Sequence, residues 1–291
     1  MNLRHVLILA SATASLAIAG PSLAEEPVLH AIAVKGSAGP LKDLNAEFWA
    51  KAPAVAVTTQ PQTVANPQNA SPAIGELSVR AAHNGEWLAY LIEWADPTKS
   101  DRIVVNEFGD QVAVEMPVKF APGDSPNPMM GAPGERVNIM QWRAAFQHDI
   151  DTGALDGPSP TDLYPNMHVD VYPDKVLRAT DARPYMGAVG VDNLISRPVH
   201  SGSAVLEQMA EGFGSLTVVP EQHAVGRGEW ANGRWRVVIT RPLSTEHDYS
   251  PSLRPGDETL AAFAVWDGGS KEVGSRKAWA NWVPLKLDPQ N

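Results

Sequence analysis

The chain has 291 residues, 44% of them apolar, with nine tryptophans and a formal net charge of −10 at pH 7. That acidity argues against nucleic acid or an anionic membrane surface as partner, because both require a basic face. Cysteine is absent, which rules out disulfides, thiolate-ligated iron–sulfur clusters and covalently attached c-type haem, and leaves the fold to a hydrophobic core.

Residues 1–24 open with Met1-Asn2-Leu3-Arg4-His5, continue as an apolar run from Val6 to Ala19 and end in Gly20-Pro21-Ser22-Leu23-Ala24. A positive start, an apolar stretch too short to span a bilayer and small residues before the break predict a secretory signal peptide cleaved after Ala24. No twin arginine precedes the run, which favours the general export route. The remainder, 25–291, is then expected to be periplasmic, without a membrane span, with a net charge of about −11 once Arg4 is lost.

Residues 43–51 read as a short helix capped by Asp43. Residues 76–82 alternate in polarity, meet Asn84-Gly85 and resume over 86–94, the pattern of a β-hairpin whose two turn positions need positive φ. Strands are predicted at 111–118 and 136–142. From about 150 to 200 runs a Pro/Gly/Asp/Tyr-rich excursion with little periodicity. A second short helix is predicted over 202–213, after Ser201 or Ser203. Residues 227–240 repeat the hairpin design around Asn232-Gly233, and further strands follow at 260–266 and 279–287. Short strands at this spacing predict a mainly β protein: one antiparallel β-sandwich domain over 25–291, with a few short helices and a long loop-rich insertion.

Histidine, the usual metal or acid–base residue, forms no pattern. His168 and Asp170 share a strand face, yet no third ligand lies at a recognisable spacing, and polar surface residues explain them. A D-x-D-x-D-G calcium loop, G-x-S-x-G, a P-loop and a Gly-rich dinucleotide turn are all missing, so the sequence offers no hydrolase or nucleotide enzyme. Two features remain. The segment PNPMMG sets Met129 and Met130 between Pro128 and Gly131, where a thioether could meet a metal instead of filling a core. Lys277, beside Arg276, sits near Trp279 and Trp282, where it could snorkel or make a cation–π contact.

Taken with DQVAVEMPV (110–118), PNPMMGAPGERVNIMQWRA (126–144), AEGFGSLT (210–217), GRGEWANGRWRVVITRPL (226–243) and FAVWDGGSKEVGSRKAWANW (263–282), these features resemble the haem b-binding γ subunit of the type II dimethyl sulfoxide reductase family. Ethylbenzene dehydrogenase, dimethyl sulfide dehydrogenase, selenate reductase and chlorate reductase belong to it. The resemblance runs from about residue 40 to the C terminus. It implies a non-catalytic subunit holding one non-covalent haem b between a methionine and a lysine, here Met130 and Lys277. Met129 is the competing thioether, since adjacent residues on an extended loop point opposite ways. Arg143, Arg241 and Arg276, placed beside the motifs, are candidates for the haem propionates. The implied partners are an iron–sulfur β subunit, a molybdenum-containing α subunit and a soluble periplasmic cytochrome or similar carrier. Met140 stands where the family usually has an aromatic, and the 150–200 excursion is longer than in some members. Two other functions fit a β-sandwich: a secreted carbohydrate-binding module, to which residues 44–96 also bear a resemblance and whose sugars the tryptophans could stack on, and a cofactor-free structural or chaperone-like subunit.

Overall fold

Two hairpins show how local chemistry sets the sheet. In the computed structural model, which describes residues 27–102, 106–124, 126–152 and 202–290, Ala231 pairs directly with Arg234, and Asn232 and Gly233 take φ of 53° and 71°. That is the two-residue turn expected of Asn-Gly. At the first hairpin only Gly85 has positive φ. The Asn84 side chain instead accepts the backbone N–H groups of Glu86 (3.1 Å) and Trp87 (2.7 Å) and donates to Ser37 O and Gly39 O. Fixed in this way, Asn84 ends the strand, and the turn moves one residue on.

In chain order the first elements are β1 (Leu29–Ala33), a 3-10 turn (Glu47–Ala50), β2 (Val55–Thr58), β3 (Gln60–Pro61), β4 (Glu76–His83) and β5 (Trp87–Ala95). Next come β6 (Gln111–Pro117), β7 (Val137–Arg143), α1 (Ala144–Thr152), β8 (Val205–Ala210) and β9 (Thr217–Val218). The last are β10 (Val225–Ala231), β11 (Arg234–Pro242), β12 (Glu258–Trp266), β13 (Ala278–Trp279) and β14 (Val283–Leu287). The strands hydrogen-bond in the order β10-β11-β5-β4-β1-β14-β12-β6-β7-β8-β9. This path folds back on itself at β12, whose first half (Glu258 to Ala261) pairs with β14 and whose second half (Ala262 to Trp266) pairs with β6. The result is a β-sandwich in which one strand serves both layers.

The interface between the layers is aromatic. Trp142 of β7 meets Trp235 of β11 edge-on, with centroids 5.0 Å apart, and Tyr90 of β5 donates its hydroxyl to the Met116 sulfur of β6 at 3.2 Å. A second, smaller cluster covers the outer face of the first layer, where Leu41, Leu44 and Trp49 pack on Ala82, Leu91 and Val238. Burial on both faces explains why β5, WLAYLIEWA, reads as a near-continuous apolar run.

Several expectations change. The sandwich is not wholly antiparallel, since β1 runs parallel to both β4 and β14. The helix expected at 43–51 shrinks to the 3-10 turn, because Asp43 Oδ1 binds the N–H of Asn45 in a local turn and the true N-cap, Ala46, has no capping side chain. The helix expected at 202–213 is β8, VLEQMA, a strand buried on both faces in which adjacent buried Glu207 and Gln208 break the alternation that marks a half-exposed strand. The predicted strand at 279–287 splits into β13 and β14, which pair with β3 and β1 respectively. The helix α1 was not anticipated. The expected signal peptide at 1–24, His168, Asp170 and the excursion beyond Thr152 fall outside the described residues. Among the described residues no helix is long and apolar enough to cross a membrane.

Candidate functional site

Strand periodicity gives the second layer two unlike faces. Val112, Val114 and Met116 of β6 and Met140 and Trp142 of β7 turn into the sandwich core. The alternate residues turn outward: Gln111, Ala113 and Glu115 on β6, Ile139, Gln141 and Arg143 on β7. With Ala262 and Ala264 of β12 and Gln208 of β8 they floor a cavity of about 730 Å³, well inside the roughly 300–1,000 Å³ of cofactor and ligand sites. Three alanines at its centre keep the floor low.

Loops form the roof. The first spans 127–133 and carries both methionines. Asn127 organises it: its Oδ1 accepts the N–H of Met129 at 2.8 Å and its carbonyl accepts that of Gly131 at 3.1 Å. Met130 is held in the left-handed region at φ 66°, followed by Gly131 at 72°. That conformation costs a side-chain-bearing residue about 1–2 kcal/mol, and it persists because Gly212 donates to the Met130 carbonyl at 2.7 Å and Trp282 Nε1 donates to Pro126 O at 2.7 Å. The loop is therefore not extended, and Met129 and Met130 both line the cavity. Met130 is the one that packs on the floor cluster of Ala113, Ile139 and Trp266.

Lys277 reaches the cavity from the loop just before β13. Its Nζ stands 5.8 Å from the centre of the Trp266 ring. Burial lowers its pKa, while the nearby Glu115 carboxylate opposes the shift. Glu115 is pushed up to about 8 by burial, against the pull of Lys277 and of the Met130 backbone N–H, and its Oε1 has no hydrogen-bond partner. At the other end of the floor, Arg143 Nη2 and Gln208 Nε2 both donate to Gln141 Oε1 at 3.0 Å, and Gln141 Nε2 passes the chain to Gln111 Oε1 at 2.7 Å. Arg143 Nε has no partner, and burial brings this guanidinium down to about 10. Val64, Phe213 and Leu216 stand exposed at the rim.

The structure thus gathers Met129, Met130, Lys277 and Arg143 around one cavity. It leaves out the other two arginines. Arg276 is exposed and does not line the cavity. Arg241 is buried elsewhere, donating to Ser250 Oγ (2.8 Å) and Pro251 O (2.7 Å) beside Tyr90. Sequence reasoning missed Glu115, Gln141 and Trp266. The alternation of residues 111–117 was the available signal, since it puts Glu115 on the face opposite Val112, Val114 and Met116.

Comparison with known proteins adds a family. Residues 46–278 match the family model described as ethylbenzene dehydrogenase. The chain is 24% identical over 247 residues to a Haloferax mediterranei protein named as the respiratory nitrate reductase heme subunit ORF7, covering 84% of this chain and 68% of that one. It is 24% identical to dimethylsulfide dehydrogenase subunit gamma of Rhodovulum sulfidophilum over 74% of this chain, and spans 61% of that subunit. Chlorate reductase subunit gamma of Ideonella dechloratans is likewise 24% identical, covering 89% of this chain and 84% of the other. Among solved structures, a carbohydrate binding module family 9 from Caldicellulosiruptor kristjanssonii in complex with cellotriose aligns at a TM-score of 0.42 and 10% identity, over 91% of this chain and 95% of that chain, too distant to carry an argument.

Proposed function

The chain belongs to the ethylbenzene dehydrogenase family, and from that premise we propose that it is the haem b-binding electron-transfer subunit of a molybdenum-containing oxidoreductase complex, in which Met130 and Lys277 would hold the haem iron. The observation that carries the ligand assignment is that these two side chains, from opposite halves of the sequence, line one cavity with a floor of alanines.

The residues present suit the group. A low alanine floor leaves room for a flat macrocycle, and a thioether and an amine are both competent iron ligands. Arg143, with an unpartnered Nε at the cavity wall, suits a propionate. Bound haem would supply a one-electron iron couple. Met130 offers a soft, neutral sulfur that favours the ferrous state and so raises the potential. Lys277 can ligate only as the free amine, and burial already drives its pKa in that direction. If Met130 and Lys277 both held the iron, the bound group would be left to exchange electrons and not to bind oxygen or substrate, which suits a subunit that is not itself catalytic. The wider reading is an exported, periplasmic subunit that exchanges electrons with an iron–sulfur partner attached to the molybdenum subunit on one side and a soluble carrier on the other.

Of the tryptophans that could have served a sugar-binding reading, Trp266 and Trp279 line the cavity itself. Trp94, Trp142 and Trp235 lie in the core, and each of the others is buried or half-buried.

Purified protein should be red, with a low-spin b-type spectrum. Met130→Ala and Lys277→Ala should each lose haem or turn high-spin, while Met129→Ala keeps the parental spectrum. If both ligand variants retained the parent's spectrum and potential, the assignment would be wrong; a colourless native protein would refute the haem itself. Co-purification with an iron–sulfur protein and a large molybdoenzyme tests the complex.

A further inference from the structure

Beyond the cavity, at the ends of three strands, three aspartates converge. Asp96 follows β5, Asp110 precedes β6 and Asp267 follows β12. Pairing of Trp266 with Gln111 sets the last two side by side, and β5 delivers Asp96 from the facing layer. Their exposures are 1%, 0% and 7%, and one carboxylate oxygen from each lies within 4.8 Å of the others.

Most of their oxygens are occupied by local donors. Asp110 accepts from Ser100 N (2.7 Å), Gly268 N (2.8 Å) and Trp235 Nε1 (2.9 Å). Asp267 accepts from the N–H and hydroxyl of Ser270, and Asp96 Oδ1 from those of Thr98. Asp96 Oδ2 is different. This oxygen, on a side chain 1% exposed, meets no donor at hydrogen-bond geometry; burial raises the Asp96 pKa, and the indole N–H of Trp94 is close enough to pull it down but does not complete a bond. Among the described residues no lysine, arginine or histidine forms an ion pair with any of the three aspartates. Carboxylates so placed are expected to pair with something positive.

We infer that Asp96, Asp110 and Asp267 bind one calcium ion. An oxygen-only set selects a hard cation, and neither a sulfur nor a nitrogen donor is present to favour zinc or copper. Oxygens up to 4.8 Å apart fit on opposite sides of an ion that binds oxygen at about 2.3–2.6 Å. Magnesium, which binds at about 2.0–2.1 Å and keeps its waters, fits this dry site less well. Gly269 leaves room beside it: a Cβ there would lie 2.6 Å from Thr98 Oγ1 and 3.1 Å from Asp267 Oδ1. The ion would fasten the end of β5 to β6 and β12, and would pin the start of the loop that leads from Asp267 to Lys277.

Titration calorimetry with calcium chloride on the chelator-stripped haem-loaded protein, with Tm followed by circular dichroism, tests this. One calcium should bind per chain and raise Tm, with magnesium at the same concentration giving little change. Asp96→Asn and Asp267→Asn should each weaken binding by about tenfold or more and remove the rise in Tm. A wild type with neither heat nor Tm shift overturns the inference, as do variants that bind as tightly as the parent. Should the Asn variants not fold, the stoichiometry and the calcium-over-magnesium difference of the wild type decide the matter by themselves.

Discussion

Gly131→Ala probes whether backbone geometry at the methionine loop holds the cavity in shape. At φ 72°, an alanine here takes on the left-handed penalty of about 1–2 kcal/mol. Its Cβ would also run into the carbonyl oxygen of Glu135. That carbonyl accepts the Ala132 N–H at 3.3 Å, and Glu135 in turn donates to Ala132 O at 2.8 Å, so relief means opening the turn at a further cost of about 1–3 kcal/mol. The total is roughly 2–5 kcal/mol. Gly134, three residues on at φ 83°, has nothing within 4 Å of its own hypothetical Cβ. Gly134→Ala should therefore cost only the conformational part, about 1–2 kcal/mol. Urea unfolding of the two variants isolates the collision, and the absorbance spectrum shows whether it reaches Met130. Equal destabilisation, or a Gly131→Ala protein with the parent's haem spectrum, would sink the argument that this turn sets the position of the thioether.

Arg143→Gln should weaken haem retention by about tenfold or more, the worth of one charge-assisted hydrogen bond, whereas Arg276→Gln, at an exposed position off the cavity, should leave it unchanged; a competition assay with apomyoglobin ranks them, and equal losses would contradict the geometry. Glu115 gives a pH signature: its carboxyl is raised from 4.5 to about 8, so its contribution to stability is complete below pH 4.5 and is lost as pH rises through about 8. Glu115→Gln should flatten that decline in the unfolding free energy of the haem-free chain, and a difference between the two proteins that stays constant over this window would refute the assignment. Ala264→Leu should fill the cavity floor, since Ala264 lies between Ala113 and Trp279 in register; haem content should fall while Tm stays close to the parent's, and full haem loading would show that the floor is not where the cofactor sits.

What the sequence disclosed was set by how local each signal is. Asn232-Gly233 specified its turn because positive φ at both positions is a property of those two residues alone. Asn84-Gly85 carried the same letters, but its asparagine was claimed by Ser37 and Gly39 from a distant loop, which no local pattern reveals. β8 was misread for a related reason: burial on both faces erases the period-2 signal, and only pairing with β7 and β9 makes the segment a strand. The parallel seating of β1 between β4 and β14 likewise depends on residues from the two ends of the described chain. At the site, Met130 and Lys277 could be singled out through resemblance, and Arg143 by its neighbourhood. Arg241 had an equally good neighbourhood on paper. Its strand turns it into the protein, where Ser250 and Pro251 receive it.

The site's two halves are held by different physics, and this bears on how substitutions should be read. The floor is sheet: its register follows from the layer's core face, where Val112, Val114, Met116, Met140 and Trp142 are buried, so floor positions can change in volume with little effect on their own backbone. The roof has no such support. Its segments are tied to one another and to distant loops by single hydrogen bonds: Met130 O to Gly212 N, Pro126 O to Trp282 Nε1, Ser275 O to Gln62 Nε2 and Pro61 O to Trp279 Nε1. Each is worth only about 0.5–1.5 kcal/mol net, but together they fix both the methionine and the lysine, which sit on different strands of the tie. A substitution in the roof should therefore displace a ligand before it unfolds the chain, whereas one in the aromatic interface of Trp142 and Trp235 should unfold the chain before it displaces a ligand. That ordering, read from spectrum and Tm together, separates residues that place the ligands from residues that merely keep the sandwich closed.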